Sequence, residues 1–127
     1  MRYLVNSVLS LNLLLICAFA AVQWNDPDPL LWIGFYLLCA LVPLLALANK
    51  PLKIVFGLAV VACIIEMTRT GAGAYNYYLH MNEEPLMQSM NPNKPYIEEA
   101  REFLGALIAL AIVALSQWLA HIKARLK

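Results

Sequence analysis

The residues best suited to chemistry are acidic, and they fall in three places. Gln23, Asn25, Asp26 and Asp28 occur in the run Gln23-Trp24-Asn25-Asp26-Pro27-Asp28-Pro29. Glu66 stands alone in an apolar stretch. Glu98, Arg101 and Glu102 form a third group, with Glu99 among them. The alternating Asp-Pro-Asp-Pro holds two carboxylates on a stiff backbone beside two amides, an oxygen-rich set that suits a hard cation or a hydrogen-bonded partner loop. The same residues also suit a joint between helices: Asp26-Pro27 as a turn, Asp28 as an N-cap and Pro29 as the first helical residue. In the third group Arg101 follows Glu98 by three positions and Glu102 follows it by four. On a helix this stacks carboxylate, guanidinium and carboxylate on one face. Acids there also favour the dipole of a helix start.

Glu66 is the sharpest case. An ionisable side chain at the centre of a membrane helix costs about 2.5–3.5 kcal/mol on insertion scales and less near an end, so it is read first as functional. The competing account is a simple ion pair, with Arg69 three residues on or with Arg101 of another helix. Asp26, Asp28, Glu66 and Glu98 are the candidate cation ligands. A copper alternative combines His80 with Met81, Met87 and Met90, since imidazole and thioether ligands suit that metal. Cys17, Cys39 and Cys63 all fall in apolar stretches, contain no CxxC and read as packing residues. The chain has no phosphate-binding loop, zinc-protease helix or nucleophile elbow. No residue is therefore assigned as catalytic, no cofactor is required, and the balance leans away from an enzyme.

The elements that must position these groups are membrane helices. Only 13% of the 127 residues are charged, against about 25% in a soluble domain. Mean hydropathy is +0.67. Such a chain cannot cover a water-facing surface, and a net charge of +1 offers nucleic acid no basic face. All nine basic and all eight acidic residues lie outside residues 4–22, 30–48, 54–65 and 103–122. The expectation is an all-α membrane protein forming one domain. Four transmembrane helices, at about 4–22, 30–48, 53–70 and 101–122, would make an up-down bundle. Gly71-Ala72-Gly73 is expected to end the third helix and open an outer loop over 71–94, and the fourth helix is expected to begin near Pro95.

The positive-inside rule places both termini in the cytoplasm. Arg2, Lys50, Lys53, Lys123, Arg125 and Lys127 then lie inside, while Arg69, Lys94, Arg101 and every acid lie outside or near an outer helix end. Ala18-Phe19-Ala20 after an apolar run imitates a signal-peptide cleavage site. The segment is nevertheless read as a retained first span. Trp24, Trp32 and Tyr36 suit an aromatic belt at the membrane surface. Asn12, Ser10, Ser116 and Gln117 read as hydrogen-bonding glue between helices, and Gly105 with Ala109 as a small-residue face for homo-oligomerisation or a membrane partner.

Two motifs together resemble the transmembrane protein 220 family, small multi-helix membrane proteins of bacteria and animals. The first is Gln23-x-Asn25-Asp26-Pro27-Asp28-Pro29-x-x-Trp32-x-x-x-Tyr36. The second is Glu98-Glu99-x-Arg101-Glu102-x-x-Gly105. The resemblance implies a compact helical membrane protein, here expected in a bacterial inner membrane, and brings no reaction with it. Both motifs start outward-to-inward helices on the same expected side of the membrane. They suggest one outer cluster of Gln23, Asn25, Asp26, Asp28, Glu66, Glu98, Arg101 and Glu102. Such a cluster would bind a cation, a lipid headgroup or a partner. Acid/base or proton chemistry at Glu66, Asp26 or Asp28, and a purely structural accessory role, are the alternatives.

Overall fold

Four helices account for nearly all of the described residues. The structure, a computed structural model, describes residues 1–25, 29–80 and 95–126, without the side chains of Asn25, His80 and residues 95–98. Helix α1 spans Arg2–Val22 and leads into a single 3-10 turn, Gln23–Asn25. Helix α2 spans Pro29–Leu47, α3 Lys53–His80 and α4 Pro95–Arg125. No strand occurs among the described residues. Each helix contains a window long and apolar enough to cross a bilayer, as expected from the sorting of charge out of four stretches. Their outward residues include Leu14, Leu37, Leu58 and Ile108, all exposed. Leucine at such positions is placed for lipid rather than water.

The chain divides into two compact units, Met1–Ala62 with Ala109–Lys127, and Cys63–Ile108. In the first, α1 buries Val5, Leu9, Asn12, Ile16 and Ala20, a face repeating every three or four residues. Val5 and Leu9 pack with Ala46 of α2 and with Leu119 and Ala120 of α4. Two polar contacts join the same helices. Asn12 Nδ2 donates to Ser116 Oγ across 3.0 Å, both side chains being buried. Lys123 Nζ donates to the carbonyls of Ala46 and Leu47, each at 3.2 Å.

The α2 terminus shows why the following connector is short. Asn49 adopts φ 62°. Its N–H reaches the Ala46 carbonyl, and the Lys50 N–H reaches that of Leu45. This is a Schellman ending with asparagine in the left-handed position, and Pro51 then prevents the helix from resuming. Lys123 adds its ammonium to the Leu47 carbonyl and, as a second donor, to that of Ala46.

Ala109 is fully buried within its own chain and Gly105 is half-buried. Of the small-residue face expected to dimerise, Ala109 is thus covered by the chain itself. Alanines 106 and 109 lie on the side of α4 that packs inward, because small side chains allow helices to approach closely.

Candidate functional site

Glu66 sits in the second unit, on the buried side of α3. Cys63, Glu66, Thr70 and Gly73 follow one another at spacings of three and four, and all are buried. The Glu66 side chain is 10% exposed, and Oε2 lies 2.9 Å from Arg69 Nη2, whose side chain is 50% exposed. This is an ion-pair distance with poorly directed N–H groups, so Oε2 accepts no well-aligned hydrogen bond. Thr70 turns its hydroxyl onto the backbone carbonyl of Glu66 at 2.7 Å. Thr68 does the same to Ile64 at 2.8 Å. Both threonines satisfy themselves on their own helix and leave the carboxylate to Arg69.

Helix α3 does not end at Gly71-Ala72-Gly73 but continues to His80. The glycines serve packing instead. A Cβ at Gly73 would collide with Glu99 of α4, and one at Gly71 would sit 4.0 Å from Phe103 Cε2. Glycine thus lets α4 cross closely, with Glu99 laid against the α3 backbone. Gly73 lies two turns beyond Glu66, about 10.5 Å along the axis. The unit therefore carries a second carboxylate on the buried face of α3. Glu99 was not among the expected site residues. Its signal was the Gly-Ala-Gly itself, which makes room for a neighbouring chain as readily as it ends a helix. Arg101 and Glu102 are half-buried in the first turns of α4, while Ala100 is fully covered.

The other expected residues belong to the first unit. Gln23 Nε2 donates to the Phe19 carbonyl at 3.1 Å, closing the end of α1. Trp24 is 76% exposed, the placement a membrane-surface anchor needs. Trp32 and Tyr36, expected as anchors too, are instead buried, at 1% and 3% exposure. Positions 32, 35 and 36 fall on one side of α2, so their rings converge. The Phe35 and Tyr36 centroids are 5.0 Å apart, those of Trp32 and Phe35 5.7 Å, and Tyr36 meets Phe19 of α1 at 5.8 Å. These rings cannot reach headgroups. They brace α1 against α2.

Asp26 and Asp28 lie outside the described residues, as do the side chains of Asn25, Glu98 and His80, and Met81, Met87 and Met90. Among the described residues, no group of three or more His, Cys, Asp or Glu is arranged to hold a metal ion.

Comparisons with known proteins accord with the two motifs. Neither the curated proteins nor the solved structures give a match. A family model described as transmembrane family 220, helix, matches residues 15–118, which contain both motifs, Glu66, the end of α1, all of α2 and α3 and most of α4, and on that extent of match the chain belongs to this family.

Proposed function

We propose that this integral membrane protein is a binding protein that takes a phospholipid headgroup at the Glu66–Arg69 pair. One observation carries this reading: a buried carboxylate whose ion-pair partner Arg69 is half-exposed and poorly aligned with it. A purely structural pair would gain most from directed, bidentate geometry. Here the guanidinium stands toward the surroundings and the carboxylate stands behind it. A zwitterionic headgroup offers a complement to each. Its phosphate suits the Arg69 guanidinium, and its ammonium suits Glu66 Oε2 once the arginine has turned outward, so one ion pair is exchanged for two. A primary ammonium fits better than a quaternary one, since only the primary group has N–H bonds to donate.

The orientation that goes with this reading keeps both termini in the cytoplasm and puts the acidic loops outside, as the distribution of Lys and Arg suggests. Asp26, Asp28, Glu98, Arg101 and Glu102 would then lie on the headgroup side and extend the polar surface. The test is a lipid inventory of the purified protein, with exchange into vesicles of phosphatidylethanolamine or phosphatidylcholine. Retention of phosphatidylethanolamine by the native chain, lost in Glu66→Gln, is expected. Equal retention of both lipids, or an inventory unchanged by Glu66→Gln, leaves the pair as a structural element only.

A further inference from the structure

We propose that the end of the first unit where α1 begins and α4 finishes is a docking surface for an anionic phospholipid headgroup. Contacts already described bring the elements together there. Val5, one turn into α1, packs with Ala46 of α2 and with Leu119 and Ala120 of α4. Lys123 ties the end of α4 to the end of α2. The connector 48–52 then leads directly into α3, which starts at Lys53 in the same unit. Each of these helix ends brings cations: Arg2 from α1, Lys50 after α2, Lys53 on α3, and Lys123 with Arg125 on α4.

The charge at this end lacks a counter-ion from the helices that carry it. Lys123 is buried, and two neutral carbonyls hold its ammonium. Carbonyls orient a cation without cancelling its charge. Arg2 repels the same ammonium. No aspartate or glutamate occurs in residues 1–25, 29–65 or 103–127. The sequence places Asp26 after all 21 residues of α1, about 30 Å of helix. A buried cation without a counter-charge is costly, and an anion shared among several cations offsets that cost. The helix starts add to the attraction. Neither α1 nor α3 has an acid in its first turn, and Met1 gives α1 no side-chain cap. The first N–H groups of α1 are therefore left to favour an anion as well.

The neighbouring side chains identify the anion as a lipid. Lys50 and Lys53 are exposed, and so are Leu52 and Ile54 beside them. A phosphate diester carried on acyl chains meets both kinds of group: its charge faces the ammonium and guanidinium groups, and its chains cover the leucine and isoleucine. A water-soluble polyanion would leave those apolar side chains bare. A zwitterionic lipid brings a cation of its own to a surface that already holds several. The surface is thus separate from the Glu66–Arg69 pair in place and in ligand.

The test holds the full chain in mixed micelles containing equal amounts of phosphatidylglycerol and phosphatidylcholine, with bound lipid counted by native mass spectrometry. Phosphatidylglycerol is expected to be enriched on the native chain roughly tenfold or more, and the enrichment to shrink as salt rises. Lys50→Gln with Lys53→Gln is expected to lower it by at least about fivefold, whereas Lys50→Arg with Lys53→Arg keeps it. Both positions are exposed, so neither pair disturbs packing. Lys94→Gln removes a cation from outside this unit and is expected to change nothing. Equal retention of both lipids by the native chain, indifference to the glutamine pair, an equal loss in Lys94→Gln, or displacement of phosphatidylglycerol by inorganic phosphate would each overturn the proposal.

Discussion

Lys123, on the last turns of α4, places its ammonium 3.2 Å from the carbonyl of Leu47, the final residue of α2. It also reaches the Ala46 carbonyl. The side chain is almost fully buried, so these bonds are shielded from competing water. A cation at the C-terminus of a helix meets the negative end of its dipole as well as the last carbonyls. Although its basic neighbours Arg125 and Lys127 lie near the chain end, Lys123 points inward and ties α4 to α2.

Replacing Lys123 should therefore affect stability far more than replacing Arg125, which is exposed. Lys123→Met keeps the length and apolar bulk of the stem but removes the donor. A loss of about 1.5–3 kcal/mol is expected, the range for hydrogen bonds to a charged group. Arg125→Met should cost under about 0.5 kcal/mol, as an exposed substitution. Unfolding of the two variants in mixed micelles checks the difference.

The hydrogen bond from Asn12 to Ser116 makes a smaller, separable contribution. Both residues are buried between α1 and α4, where removal of one partner leaves the other unsatisfied. Asn12→Ala and Ser116→Ala should each destabilise, and the double variant should lose less than their sum. A coupling energy near 0.6 kcal/mol, with an upper range of about 1.7, is the expectation for bonds of this kind between membrane helices. A double-mutant cycle by steric trapping or denaturant titration measures it. A coupling of zero would mean that the two side chains are held by packing alone.

Hydropathy made the four helices legible because charge is excluded from their central stretches. The periodicity of α1 likewise marks Asn12 as an inward residue. What sequence did not yield is pairwise geometry. Trp32 and Tyr36 have the composition of a membrane-surface belt, and only their convergence with Phe35 and Phe19 shows them to be core. Gly71-Ala72-Gly73 looks like a helix end because isolated glycine lowers helix propensity in water. Between membrane helices the same residue is used to bring backbones together. Glu99 was left out of the expected site for the matching reason: its partner is a glycine, which leaves no chemical signature. Lys123 was assigned to the inner surface by counting charge, which says nothing about where a lysine stem folds back.

The aromatic correction has a direct consequence. Trp32→Ala empties a fully buried site and should destabilise the protein by about 3–5 kcal/mol, the range for a large core aromatic. Trp24→Ala removes a largely exposed ring and should leave the thermal midpoint nearly unchanged. Tryptophan fluorescence separates the two as well. A brominated lipid with the bromine near the headgroup should quench Trp24 strongly and Trp32 weakly. Equal quenching would return Trp32 to the membrane surface.

Gly71 and Gly73 offer the most discriminating pair of substitutions, because they are two residues apart and differ only in what faces them. A methyl group at Gly71 would meet Phe103 at an ordinary van der Waals distance. Gly71→Ala should thus be neutral or stabilise α3 by up to about 1 kcal/mol through better helix propensity. At Gly73 the methyl group would occupy space held by Glu99, including its Cβ. Gly73→Ala must push α4 away, at the roughly 1–3 kcal/mol typical of overpacking. Adding Glu99→Ala should not restore stability, because alanine retains the Cβ that collides. Glu99→Gly should restore part of it, at its own cost in helix propensity. Thermal unfolding of the four variants decides the matter: rescue by glycine but not alanine locates the contact at the backbone, whereas rescue by alanine would assign it to the carboxylate.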